Sequence, residues 1–390
     1  MLRFLLGALL CLTLGTTAGA ETFTIGYLQL KKDARYSKTR SYAQFLLEPL
    51  GRPYTGAKVA LDEIQFHGTE AGVTFKLDRE RERDTAALIS EAKRMHGEGV
   101  RFFVTDLSAD VLAELAEATA GMDLILMNAT ARDDHLRAEG CQPHLLHIIP
   151  SQRMLMDALN QYLRFKKWTK VLVLQGPSES DQAMGAAYAA SARKFAMDVI
   201  DTRPFLLSND PRDRDLNNIL LLTSDGDYDV VFVADAVGEF ARNIQYQTVL
   251  PRPVVGASGL GAVAWHWAWE RHGAPQLEGR FEDMAERKMR SYDWATWMAV
   301  KTVAEAVQRT GSADFNTLRD FLLGPELNLD TFKGNPSSFR PWNNQLRQPV
   351  LIGTQNWVIA RAPIEGFEHR VSVLDTLGID QRESVCRLDQ

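Results

Sequence analysis

KVLVLQGPSESDQAMGAAYAASARKF, residues 170–195, reads as one complete strand, turn and helix. Val171 to Leu174 are all apolar, which suits a strand buried on both faces rather than one alternating between core and water. Gly176, Pro177 and Ser178 break the run, and DQAMGAAYAASARKF resumes with apolar residues at helical spacing. An apolar strand followed by an amphipathic helix is the repeating unit of a parallel sheet covered on both faces.

The same alternation runs in both directions from this unit. Strand-like runs are FTIGYLQL from Phe23, VTFKL from Val73, VRFFV from Val100, DLILMNA from Asp123, DVVFVAD from Asp229 and RPVVGASG from Arg252. Helical patterns begin at Asp84, Ser108 and Ser151. One series spans Phe23 to about Asn128 and a second about Leu145 to Ser258, interrupted near Cys141-Gln142-Pro143. The expected fold is α/β, with two doubly wound parallel-sheet lobes; a single barrel of eight regular units is the competing topology.

Beyond the second series lies a tryptophan-rich stretch. WHWAW at 265–269 and SYDWATWMAV at 291–300 hold five of the eight tryptophans. On a helix capped by Asp293, Trp294, Trp297, Val300, Ala304 and Val307 form one apolar stripe and read as core. Trp265, Trp267 and Trp269 cannot all share one helical face, so at least one ring is exposed or meets a ligand.

Residues 1–20 carry Arg3, the apolar run FLLGALLCLTL and small residues ending Ala18-Gly19-Ala20. This is the pattern of a cleavable secretory signal, so a mature chain starting at Glu21 is expected. The run is shorter than the about 20 residues of a membrane span, so no membrane insertion is expected. Without Arg3 the formal charge is −7, against −6 for the whole sequence, an acidic balance that argues against nucleic acid or anionic membrane as partner. Cys141 and Cys386 remain after the signal; in an oxidising compartment such a pair is expected to join, the alternative being two separate buried thiols.

Enzyme signatures are wanting. GASGLG at 256–261 puts Ser258 in the wrong frame for a nucleophile elbow, and His266, Glu270 and His272 miss the H-E-x-x-H spacing. No Walker loop, dinucleotide fingerprint or c-type haem motif occurs, so neither a cofactor nor catalysis is expected. What the strand ends offer is short and polar: Asp106 and Ser108, Asn128 and Thr130, Ser178 and Ser180, Asp235, and Ser258. Such groups suit a small polar ligand beyond the carboxyl ends of the strands, and equally suit capping of the next helix.

The order FTIGYLQL, GAKVALDEIQFHG, FFVTDLSADVLAELA, LILMNATARDD, LLHIIPSQRMLMDALNQYL, KVLVLQG, YDVVFVAD and PVVGASGL resembles the type I periplasmic solute-binding proteins of the branched-chain amino acid transporter group. In the C-terminal half, AWHWAWERHGAPQLEGRF, MRSYDWATWMAVK, SFRPWNNQLRQPVLIGT and GFEHRVSVLDTLGID resemble a subfamily associated with pyrroloquinoline-quinone-dependent alcohol oxidation. The resemblance implies a periplasmic, monomeric receptor that delivers a small molecule or ion to an ABC transporter permease. It also implies a three-segment hinge near Cys141 to Pro150, Gly256 to Gly261 and Gln345 to Ile352. Lobe one would comprise 21–145 and 258–345, and lobe two 146–257 and 346–390. Ligand contacts would come from Asp106 and Ser108, Asn128 and Thr130, from Ser178 to Asp181, and from Asp235, with Ser258, Trp265 and His266 as further candidates.

One departure from that family stands out. KKDARYSKTRSYAQFLLEPLGRPYTG, from Lys31, is longer and more basic than the corresponding segment of amino-acid binders. Its six basic residues between Lys31 and Arg52 either meet an anionic ligand or form a solvated loop. Two further functions stay open: capture of a lanthanide or other metal ion, with Asp106, Asp133, Asp134 and Asp235 as possible oxygen ligands, and a sensor or scaffold that does not transport.

Overall fold

The computed structural model describes residues 21–37, 51–70, 72–208 and 210–388. The expected leader at 1–20, and Lys38 and Arg40 of the basic segment, lie outside them. The first parallel sheet is built by β1 (Glu21–Leu30), α1 (Tyr54–Glu70), β2 (Val73–Glu82), α2 (Thr85–Gly97), β3 (Phe102–Asp106), α3 (Ala109–Ala118), β4 (Ile125–Asn128) and β5 (Leu145–His147). Its strand order is β2-β1-β3-β4-β5. The second takes α4 (Gln152–Phe165), β6 (Lys170–Gln175), α5 (Glu179–Lys194), β7 (Asp198–Pro204), α6 (Ile219–Leu222), β8 (Val230–Ala234), α7 (Ala241–Ile244) and β9 (Val254–Gly256), in the order β7-β6-β8-β9. Two open sheets replace the barrel alternative.

Leu145 to His147 completes the first sheet beside β4 rather than opening the second. Central strands β3, β4 and β8 are buried along their whole length, as sheets covered on both faces require. Helix α2 starts where Asp84 accepts Ala87 N, and α4 where Ser151 accepts Met154 N. In each sheet the chain reverses direction of winding between its first and third strand, so crevices open at β1/β3 and at β6/β8.

The remainder of the chain comprises β10 (Gly261–Val263), α8 (Ala274–Ala285), α9 (Ser291–Thr310), α10 (Phe315–Leu323), a short ladder of β11 (Leu329–Asp330) with β12 (Pro336–Ser337), β13 (Val350–Gly353) and β14 (Val358–Ala362). Trp294 and Trp297 of α9 are fully buried in the core of the first sheet, as their spacing predicts. The helix begins at Ser291, two residues before the expected cap. Asp293 therefore sits in its first turn, where the carboxylate accepts Arg290 N and is held by both Nη atoms of Arg287. Helices α1 and α9 pack closely because Gly56 has no side chain; a Cβ there would lie 2.0 Å from Asp293 O.

Three chain segments pass between the two cores, and buried side-chain amides tie them together. Gln348 Nε2 donates to Ile148 O (2.6 Å) on the first crossing, while Gln348 Oε1 accepts from Lys333 Nζ (2.7 Å), which also donates to Ala264 O on the second. Gln345 Nε2 donates to His147 O and Ile149 O, and its Oε1 accepts from the buried Arg137. Strand β13 serves both cores: Leu351 packs into the first, Val350 and Ile352 into the second.

Cys141 and Cys386 are joined in a disulfide across 245 positions of sequence. It ties the C-terminal tail to the loop just before β5. Because the closed loop is most of the chain, its removal frees much unfolded-state entropy. Cys141→Ser combined with Cys386→Ser is expected to lower the unfolding free energy by about 2–4 kcal/mol. Urea denaturation of the oxidised and double-serine proteins checks this; equal midpoints would mean that packing alone fixes the tail.

Candidate functional site

At the carboxyl edge of the first sheet lies a cavity of about 350 Å³. Its walls come from four places in the sequence. Arg35, Tyr36, Gly51 and Pro53 belong to the connection between β1 and α1; Arg132 follows β4; Val263 to Trp267 end β10 and follow it; Met289 to Asp293 lead into α9. This is the switch-point crevice between β1 and β3, the place where open α/β sheets hold ligands.

Asp106, the last residue of β3, lies beneath the β1–α1 wall and is fully buried. Tyr36 Oη donates to Asp106 Oδ1 (2.5 Å), and Arg35 Nη2 donates to the same oxygen (3.2 Å) while also pairing with Asp33 (2.6 Å). The Arg52 guanidinium lies 4.9 Å from the Tyr36 ring centre and donates to Gln29 Oε1 and Leu30 O. Burial pushes the Asp106 carboxyl above its usual range, against the pull of Arg35 and Tyr36. The basic segment is thus no uniformly solvated loop. Lys31 and Lys32 are exposed, but Arg35 and Arg52 are half-buried around Tyr36.

The aromatic wall is fixed by its polar handles. Trp265 Nε1 donates to Glu278 Oε2 (3.2 Å), and the other Glu278 oxygen accepts Met289 N (2.9 Å). His266 Nδ1 accepts Ala268 N, so its proton resides on Nε2 and is donated to Thr354 O (2.7 Å). Both ring nitrogens are occupied, and burial lowers the imidazole pKa, so His266 stands neutral. Trp267 is the exposed ring of the cluster at 37 %, with Nε1 donating to Gln355 O. Trp265 and Trp269 are buried. The segment is irregular, yet the expected division of the three rings appears.

Arg132, after β4, also lines the cavity. Its guanidinium stacks over Tyr292 at 4.9 Å, and its Nε is buried without a hydrogen-bond partner. No ion pair of Arg132 occurs among the described residues.

Of the residues read from the sequence as ligand contacts, Trp265 and His266 line this cavity and Asp106 supports its wall. The others do not line it, and most of them are engaged elsewhere. Asn128 Nδ2 donates to Ala131 O, Asn128 Oδ1 accepts from Thr130 N and Ala131 N, and Thr130 Oγ1 donates to Leu107 O. Ser178 and Asp181 form a capping box at the start of α5, and Asp181 Oδ1 also accepts Ala236 N. The two Asp235 oxygens accept Gly238 N and Ala241 N. Ser108 stands at the start of α3 without a side-chain cap bond, and Ser258 is half-buried in the turn after β9. Among the described residues no group of three or more His, Cys, Asp or Glu side chains could hold a metal ion, so Asp106, Asp133, Asp134 and Asp235 do not converge. Arg35 and Tyr36 lie in the basic segment that the sequence left open between ligand contact and solvated loop, whereas Arg132 and Tyr292 were missing from the sequence-based set. Arg132 is only two residues beyond Thr130, but a lone arginine after a strand carries no pattern.

A family model described as periplasmic binding protein matches residues 48–246. The chain belongs to the periplasmic binding protein family. No curated protein sequence matches it. Solved structures share its architecture at low identity. The leucine-, isoleucine-, valine-, threonine- and alanine-binding protein of Brucella ovis, in a closed conformation, is 12 % identical, with a TM-score of 0.71 over 95 % of this chain and 100 % of that one. A branched-chain amino acid ABC transporter periplasmic ligand-binding protein of Burkholderia xenovorans LB400 is 12 % identical, with a TM-score of 0.71 over 94 % and 100 %. An ABC transporter solute-binding protein of Rhodopseudomonas palustris BisB5, in complex with 3,4-dihydroxybenzoic acid, is 14 % identical, with a TM-score of 0.62 over 87 % and 97 %. At such identities the likeness is one of fold.

Proposed function

We propose that this periplasmic binding protein is the periplasmic receptor of an ABC transporter and captures a small organic solute in the cavity beside Trp265. The observation that carries the reading is the cavity's position. It lies at the switch point of the first sheet, next to the crossings that would act as hinge, where a second lobe can close over it. The lobes would comprise 21–145 with 258–345, and 146–257 with 346–390, except that β5 keeps residues 146 and 147 with the first sheet. Ser178, Ser180 and Asp235, at strand ends of the second sheet, are candidates for contacts made only on closure. The C-terminal phrases from Ala264 onward support a cargo tied to pyrroloquinoline-quinone-dependent alcohol oxidation.

A thermal-shift screen of residues 21–390 tests this, with leucine, 3,4-dihydroxybenzoic acid, pyrroloquinoline quinone and lanthanum chloride as probes. A ligand at about 100 times its Kd should stabilise the protein by about 2.7 kcal/mol. Small-angle scattering should then show a smaller radius of gyration with that ligand alone. A flat screen with an unchanged radius for every probe would overturn solute capture and leave the sensor or scaffold role.

A further inference from the structure

We propose that the cavity takes a planar organic carboxylate, with Arg132 as the residue that holds its acid group. The inference rests on the capture reading above and narrows it to a chemical class. Its first basis is the charge left over inside the site. Asp293, the acid that lines the cavity, is held by both Nη atoms of Arg287, and Glu278 by Trp265 Nε1 and Met289 N, while Asp106 beneath the wall is engaged through Oδ1 by Tyr36 and Arg35 and keeps its buried Oδ2 4.0 Å from Arg52 Nη1. Arg132, by contrast, makes no hydrogen bond or ion pair through its guanidinium to any described residue, and its Nε is shielded from water. Its guanidinium lies over the Tyr292 ring, which supports the guanidinium plane and leaves its Nη edge for a carboxylate.

The second basis is shape and surface. Tyr36, Trp265, Trp267 and Tyr292 contribute four aromatic rings to a cavity of about 350 Å³. Flat walls of this kind favour a flat ligand, by stacking and by edge contacts. A zwitterionic amino acid would match Arg132 with its carboxylate but bring an ammonium to a lining whose acid, Asp293, is already held by Arg287; a charge taken out of water without a partner is costly. A neutral aromatic would fit the rings and leave Arg132 desolvated and unpaired. A planar acid satisfies both features.

Calorimetric titration of the mature chain tests the proposal with benzoate, 2-naphthoate and anthracene-2-carboxylate, each against its primary amide, and with leucine. At least one acid should bind, at least about tenfold more tightly than its amide, as expected for a hydrogen-bonded charge. Arg132→Gln should remove that preference while leaving the melting temperature within about a degree of the parent, and Arg132→Lys should restore part of it. The proposal is overturned if none of the acids binds, if acid and amide bind alike, or if Arg132→Gln binds the acid as well as the parent does. Leucine binding more tightly than every acid, with closure, would overturn the ligand class but keep solute capture. A flat thermal-shift screen across all classes would remove capture itself.

Discussion

Arg340→Ala should lower the unfolding free energy by about 3–5 kcal/mol, because it breaks a buried ion pair and leaves one partner behind. Arg340 is 1 % exposed. Its Nε donates to Asp375 Oδ1 (2.9 Å), and its Nη2 donates to Leu374 O (2.9 Å) and Leu377 O (2.7 Å). These bonds clamp the turn at 373–376 onto the segment that leads into the third crossing. Asp375 keeps a second arginine, Arg347 (2.8 Å), so the carboxylate is not left wholly unpaired and the cost should stay within that range. Arg340→Met restores the lost packing volume but none of the three hydrogen bonds, and should recover less than half of the loss. Urea denaturation of the three proteins, under conditions that keep the disulfide oxidised, checks the order. A loss below about 1 kcal/mol would put the pair on a level with exposed surface bridges.

The parts of this molecule legible in its sequence are those where burial imposes a period. β3, β4, β6 and β8 appear as apolar runs because both faces are covered, and the α9 stripe from Trp294 to Val307 appears because one face of a long helix meets the core. β7, DVIDTRP, escapes because it is an edge strand with little buried surface. β5 escapes because three residues are too few to show a period, which is why Leu145 reads as the start of the second series. Short β13 and β14 lie in a stretch whose apolar residues face two cores at once. The site follows the same division. Asp106, Trp265 and His266 were legible from strand ends and from the tryptophan cluster, whereas Arg132 and Tyr292 are 160 positions apart and meet only through the fold. Polar residues at strand ends are ambiguous because capping and ligand binding use the same atoms. Here Ser178 with Asp181, and Asp235, spend those atoms on backbone amides.

Asp106→Ala is the change expected to damage fold and site together, at about 3–5 kcal/mol for removing one side of a buried charge cluster. The loss begins with Tyr36, whose hydroxyl donates to Asp106 Oδ1, and with Arg35, which shares that oxygen. Both belong to the cavity wall, so the wall loosens with the loss of their common acceptor and any ligand held against it should bind at least about tenfold more weakly. Asp106→Asn separates charge from hydrogen bonding: the amide oxygen still accepts from Tyr36, so its cost should be smaller at every pH. Burial raises the Asp106 carboxyl above its unfolded value of about 3.9. Between those two pKa values the native state holds a proton that the unfolded state has released, so the contribution is full below the unfolded pKa and is lost as pH rises through the folded one. The parent should therefore lose ground to Asp106→Asn as pH climbs from about 4 towards neutrality. Denaturation midpoints of parent and both variants across that range decide the matter. If the parent instead gains on Asp106→Asn as pH rises, Arg35, Arg52 and Tyr36 outweigh burial, and the cluster is an ion pair that favours its ionised form.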